Sequence, residues 1–395
     1  MESVNHCSFC AKHKDTVGKL IVGHDVAICN ECVHLCDSLL KNKKNNNLKV
    51  SEVKIPDPRE IRDYLNQHVI GQDSAKIVLS VAIANHYKRI NNPDNFIEKS
   101  NILMLGPTGV GKTLLAKTVA KYLNVPFVIA DATTLTEAGY VGEDVDSLIT
   151  RLYQHADCDI ERTQQGIVFL DEVDKIARKS EGSTVTRDVS GEGVQQALLK
   201  LVEGTKIKVS PTGSRKAEQF MEIDTTNILF IAGGAFIGLE KIVKSRVQGT
   251  ALGFAADFRT GEDINKETVI ADDLVKYGMI PEFVGRFSNV VSLQHLTKLQ
   301  LISILTDVKH NFIEQYRWLF NQDGVDLEFE DESLDLIAEK TLTSKTGARG
   351  LHTELERILL PHMFDLHRYR KQNILNIAIS PKLVNTPVTL AQENE

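Results

Sequence analysis

The chain has 395 residues, 42% hydrophobic and 25% charged, with a formal net charge of -7 and a pI near 6.0. That length fits about two to four domains with ordinary cores. The acidic balance argues against a surface that holds nucleic acid by bulk electrostatics and leaves room only for a local basic channel. No stretch approaches the roughly 20 apolar residues that cross a bilayer. The segment from Met1 to Cys7 lacks the apolar core of a signal peptide, so a soluble, cytoplasmic protein is expected.

Four of the six cysteines lie in the first 32 residues, as Cys7-Ser-Phe-Cys10 and Cys29-Asn-Glu-Cys32. In a reducing compartment such pairs favour a metal over disulfides. Two thiolates three residues apart on a tight turn converge on one ion. Two such turns close a tetrahedral Zn²⁺ shell and leave no position for water, so the site is expected to be structural. Few apolar residues precede position 40, and metal binding would supply much of the folding free energy of this 1–40 module. His6, His13, His24 and His34 lack paired spacing and are assigned to the surface. Cys36 and Cys158 are unpaired and are expected to be small buried hydrophobes. The run Lys41-Asn-Lys-Lys-Asn-Asn-Asn47 is too polar to pack, so residues 41–58 are expected to form a flexible linker.

From residue 59 to 292 apolar strand-like runs alternate with amphipathic helical stretches. The strand candidates are Asn101 to Leu105, Pro126 to Ala130, Gly166 to Leu170 and Asn227 to Ala232. This alternation predicts an α/β domain around a largely parallel sheet. Between the first strand and a helix over Leu114 to Leu123 stands GPTGVGKT, a P-loop of Gly106, Pro107, Thr108, Gly109, Val110, Gly111, Lys112 and Thr113. The glycines let backbone N–H groups turn in on phosphates, Lys112 reaches the β/γ oxygens, and the Thr113 hydroxyl coordinates Mg²⁺. Leu114 follows as the next cofactor-binding candidate. The third strand ends in Leu170-Asp171-Glu172, carboxylates at the sheet edge where ligands bind. Asp171 would hold Mg²⁺ and Glu172 would orient the attacking water, so the chain is expected to hydrolyse ATP.

Residues 293–380 show helical periodicity, as in Leu299-Leu301-Ile302-Leu305 and Leu351-Leu355-Ile358-Leu359, with short alternating runs at 326–330 and 374–378. A small, mostly helical domain is expected. The polar residues 381–395 are expected to be disordered.

The order of four-cysteine module, linker, GPTGVGKT, LDEVDK, EFVGRF and TGARGL resembles the ClpX family across nearly the whole chain. These are AAA+ unfoldases that feed proteins to the ClpP peptidase. The resemblance implies a homo-hexamer that grips protein substrates, with adaptor proteins docking on the zinc module. It implies that Arg286 is an arginine finger reaching a neighbouring subunit, and that Arg349 is a sensor arginine contacting the nucleotide. Val69 and Ile70 would line the adenine pocket, with ordinary helix-start packing as the alternative. Tyr140 and Val141 would form the first pore loop; an apolar pair between glycines also suits contact with any polypeptide. Arg187 lies in the segment similar to the second pore loop. Arg215 and Lys216 lie in the segment similar to the entrance loop, where Ala217 replaces the histidine of many members. Leu252, Gly253 and Phe254 would plug clefts on ClpP. The fourth strand offers no polar sensor-1 residue. Two other functions stay open: a remodelling chaperone that works without a protease, and a nucleic-acid motor, against which the charge and Tyr140-Val141 both speak.

Overall fold

A computed structural model of the protein describes residues 5–24, 26–33, 36, 55, 57–92, 96–136, 142–178, 191–210, 220–250, 269–344 and 346–386. The chain divides into two compact units, Met1–Lys54 and Ile55–Glu395.

In the first unit β1 (Leu20–Val22) and β2 (Ala27–Cys29) pair as an antiparallel hairpin, with Leu20 opposite Cys29. Among its described residues the buried cluster is Cys7, Cys29 and Cys32, flanked by Val17, Leu20 and Ile28. So small an apolar cluster buries too little surface to offset chain entropy unaided.

The second unit begins with α1 (Pro58–Asn66) and α2 (Asp73–Asn91). Asp57 caps α1 by accepting the Arg59 N–H at 2.8 Å, with Pro58 at the first helical position where its missing N–H does no harm. Then follow β3 (Ile102–Leu105), α3 (Lys112–Leu123), β4 (Phe127–Asp131), β5 (Ile167–Asp171), α4 (Glu192–Glu203), β6 (Leu229–Gly234) and β7 (Asn289–Ser292). The five strands form one all-parallel sheet in the order β7-β3-β6-β5-β4. Strands β3 and β6 are buried along their whole length, and β5 is buried except at Asp171. Helices cover both faces of such a sheet, which is why these strands read as unbroken apolar runs. The sequence signalled four of the five strands. The fifth, β7, has burial on one residue only and too weak a pattern to stand out.

The helical part includes α5 (Lys298–Thr306), α6 (Phe312–Gln322), α7 (Asp331–Ser344), α8 (Ala348–Phe364), a short helix Leu366–Lys371 and α9 (Pro381–Asn385), with β8 (Asp326–Phe329) parallel to β9 (Asn376–Ile379). Two expectations need correction. Residues 381–385 are helical, with Val384 fully buried. The Val384 carbonyl accepts from Lys340 Nζ at 2.7 Å and Arg357 at 2.8 Å, tertiary partners that local polarity does not reveal. Cys158 is exposed and Cys36 half-buried. Cys158 follows Asp157, and both adopt left-handed backbone (φ 60° and 56°) at a surface turn, so its side chain points outward from a corner. Among the described residues no helix is long and apolar enough to cross a membrane.

His86 on α2 is buried and donates from Nε2 to the Asn227 carbonyl at 3.1 Å, leaving Nδ1 without a partner among the described residues. Burial, reinforced by Arg89 and Lys99, lowers its pKa from 6.5 to about 3. Between these values the unfolded chain binds a proton that the folded chain refuses. Stability is therefore fully present above 6.5 and is lost as pH falls toward 3, by on the order of 4 kcal/mol. Urea unfolding from pH 7 to 4 should show this loss, and His86→Gln, which keeps a donor to Asn227, should flatten it.

Candidate functional site

The P-loop joins β3 to α3 at the carboxyl edge of the sheet. Gly106, Gly109 and Gly111 all have positive φ (151°, 78° and 104°), which a side chain would oppose. Gly111 sits at the N-cap of α3, whose free N–H groups and dipole favour an anion there. Lys112 is buried and donates to the carbonyls of Gly106 at 2.5 Å and Pro107 at 2.9 Å. Burial lowers its pKa, while Asp171 and Asp174 act to raise it and Arg349 adds a lowering push.

The Thr113 hydroxyl donates to Asp171 Oδ2 at 2.9 Å, so the two candidate Mg²⁺ ligands already meet. Asp171 Oδ1 accepts the Glu172 N–H at 3.0 Å. Glu172 itself is left-handed (φ 56°), a conformation that costs a non-glycine residue about 1 kcal/mol. This twist at the strand end brings Glu172 to the wall of the same cavity as Lys112 and Thr113.

That cavity measures about 910 Å³. Val69 and Ile70 line it together with Thr108, Gly109, Val110, Gly111, Lys112, Thr113, Leu114, Asp171, Glu172 and Arg349. Gly106 and Pro107 lie behind the wall, Gly106 packed so closely that an added Cβ would sit 2.7 Å from the Leu293 carbonyl. The helical domain closes the far side through Phe312, Gln315, Arg349 and His352. The Ala348 N–H donates to the Gly109 carbonyl at 2.9 Å, and a Cβ on Gly347 (φ 62°) would meet Gly109 backbone at 2.8 Å. The P-loop and the segment that carries Arg349 thus stand on touching backbones. The dipole, the ammonium, the hydroxyl and carboxylate pair and the apolar wall fit a nucleoside triphosphate with Mg²⁺. Thr113 and Asp171 would hold the metal, Lys112 and the loop N–H groups the phosphates. Bound ATP supplies the γ-phosphoryl group, and Glu172 would orient water towards it.

Arg286 is absent from this wall. It ends the helix Pro281–Gly285 and pairs with Glu203, Nε to Oε1 at 2.9 Å, both side chains about half exposed. Such a surface pair contributes at most about 1 kcal/mol and yields easily to another anion. Buried Asn101 holds the Arg286 carbonyl at 3.0 Å and the Phe230 N–H at 3.2 Å, which fixes the base of that arginine to the sheet.

In the first unit the sulfur atoms of Cys7, Cys10, Cys29 and Cys32 all lie within 4.8 Å of one another. Cys7 Sγ accepts the Cys29 N–H at 3.3 Å and Cys29 Sγ accepts the Cys32 N–H at 3.4 Å. Burial acts to raise the Cys7 thiol, but N–H donors from Cys10, Cys29 and Phe9 outweigh it and lower the pKa to about 6. Cys32 moves the other way, pushed up by burial and by its thiol neighbours. Four thiolates so close repel one another, and a dication removes that conflict.

Three family profiles match the chain: ClpX C4-type zinc finger at residues 5–42, AAA domain (Cdc48 subfamily) at 97–290, and C-terminal, D2-small domain, of ClpB protein at 296–372. A curated relative from Treponema denticola, "ATP-dependent Clp protease ATP-binding subunit ClpX", is 50% identical over 383 residues, covering 94% of this chain and 92% of the relative. The chain belongs to the ClpX family. As a ClpX-family member it is an AAA+ ATPase with the family's unfoldase function, it uses ATP with Mg²⁺, and its four cysteines bind Zn²⁺.

Tyr140, Val141, Arg187, Arg215, Lys216, Leu252, Gly253 and Phe254 fall outside the described residues. The sequence reading missed Asp174. This buried carboxylate lines the cavity and accepts the Ala235 N–H at 3.1 Å, just past β6 where no polar sensor-1 residue was found. A Cβ on Gly234 would approach its Oδ1 to 2.7 Å, so the glycine makes room for it. The available signal was the spacing: Asp174 stands three residues after Asp171, inside the 3₁₀ helix Val173–Ile176 that follows the strand.

Glu172→Gln should bind ATP with near-normal affinity yet hydrolyse it at a few per cent of the normal rate or less, whereas Lys112→Ala should weaken binding itself; calorimetry and phosphate release separate the two. A strong zinc chelator, or Cys29→Ser, should unfold the first unit. Limited proteolysis should then cut within residues 5–33 while ATP hydrolysis changes less than about twofold.

Proposed function

We propose that the chain forms a homo-hexameric ring that unfolds protein substrates with ATP and threads them through a central pore into the ClpP peptidase. The observation that carries this reading is the cavity walled by both the sheet domain and the helical domain, with Gly109 bonded to Ala348. A nucleotide gripped from both sides changes the angle between its walls when its γ-phosphate leaves. That converts hydrolysis into motion.

In this reading Lys112, Asp171 and Glu172 carry out hydrolysis in one subunit, and Arg349 senses the nucleotide from the helical domain. Arg286, outside the lining of its own cavity and paired among the described residues with Glu203, exchanges that partner for the γ-phosphate of the neighbouring subunit. Tyr140 and Val141 grip the moving chain, with Arg187, Arg215 and Lys216 along its path. Leu252, Gly253 and Phe254 dock on ClpP, adaptors engage the zinc module, and the protein works in the cytoplasm.

The decisive experiment follows ATP-dependent loss of fluorescence from a tagged, stably folded reporter, with and without ClpP. Unfolding should occur in both cases and degradation only with ClpP. Phe254→Ala should keep unfolding and lose degradation; retained degradation would remove the docking role, and no unfolding with any tag would overturn the reading.

A further inference from the structure

The turn that carries Val69 and Ile70 is held at both ends by parts of the chain that belong to the interdomain joint. At its start, the Gln67 carbonyl accepts the Lys309 N–H at 3.1 Å and Gln67 Oε1 accepts Lys309 Nζ at 2.7 Å. At its end, Gln72 Nε2 donates to the Gln294 carbonyl at 2.8 Å while Gln72 Oε1 accepts the Gln294 N–H at 2.9 Å. Two bonds from one planar amide to one backbone unit fix its rotation as well as its position, as a β-ladder does.

Gln294 lies on the connection from β7 to α5, the passage from sheet domain to helical domain. Its neighbour Leu293 donates its N–H to the Leu105 carbonyl at 2.7 Å and abuts Gly106, so the connection starts from the base of the P-loop. The conformation supports a held device: Gly71 and Gln72 are both left-handed (φ 66° and 60°), and at Gln72 this strain is offset by the double bond to Gln294. From below, the fully buried ammonium of Lys76 donates to the Val69 carbonyl at 2.6 Å and to Asn66 Oδ1 at 2.7 Å. Val69 therefore has little freedom to move without carrying the turn with it.

We propose that Gln72 is a positioning residue that couples the base of the bound nucleotide, and not its phosphates alone, to the angle between the two domains. The coupling rests on the reading that Val69 and Ile70 seat the base. A base pressing on these side chains displaces the turn as a unit, and the Gln72 amide passes that displacement to Gln294. Phosphates reach the joint from the other end of the nucleotide, through the P-loop, by Gly109 on Ala348 and by Gly106 against Leu293. The nucleotide therefore reports to the joint along two routes, one from each of its ends.

The test compares ADP with pyrophosphate on full-length hexamers. Bioorthogonal spin labels at exposed Lys208 and Glu328 report the interdomain distance in rings diluted with unlabelled subunits. In the native chain ADP should bind at least about tenfold more tightly than pyrophosphate and give a different distance distribution. Gln72→Gly, which accepts φ 60° without strain, should give the pyrophosphate distribution even at saturating ADP. Gln72→Glu, which keeps the side-chain length but loses the donor, should do the same. An ADP-specific distance retained in both variants would overturn the coupling while leaving the base seat intact. Equal affinity of the native chain for ADP and pyrophosphate would overturn the base seat and the coupling together.

Discussion

The contact between the Gly109 carbonyl and the Ala348 N–H is the constraint around which this site is built. It brings a loop of the sheet domain and the first turn of α8 to backbone distance. Gly109 and Gly347 make that approach possible because neither carries a Cβ, and both stand at positive φ. Arg349, two residues beyond Gly347, is thereby delivered to the P-loop cavity. A nucleotide in this cavity would touch both sides of the joint at once.

The rest of the sheet domain serves that arrangement through its topology. All five strands run parallel, so β3, β5 and β6 end at one edge, where the P-loop, Asp171 and the Asp174 contact converge. The burial of these strands makes the edge rigid. The left-handed backbone at Glu172 then gives two adjacent carboxylates different surroundings, although both line the cavity: Asp171 accepts from Thr113, and Glu172 follows it on the turn. The zinc-binding unit is held differently: its described residues bury almost no apolar core, and four convergent thiols let a metal ion supply free energy that their packing does not.

Much of this was legible in the chain itself. Unbroken apolar runs announced four parallel strands, and glycine spacing announced the phosphate cradle. Cysteine pairs announced the metal site. Three things were not legible. Asp174 reads as one more acid on a polar turn until β6 is placed beside it. Val384 looks like part of a polar tail until Lys340 and Arg357 reach its carbonyl. The fifth strand, β7, is too lightly buried to show a period.

The sequence by itself determined the chemistry: which residues can bind phosphate, magnesium or zinc, because those capacities reside in residue type and local spacing. Tertiary structure alone decided which of them act together. Gln72 meets Gln294 across 222 residues of chain, and Gly109 meets Ala348 from another domain. Such contacts depend on how helices and sheet pack against each other, and no local pattern encodes a distance between segments so far apart. The pairing of Arg286 with Glu203, rather than with its own cavity, is of the same kind.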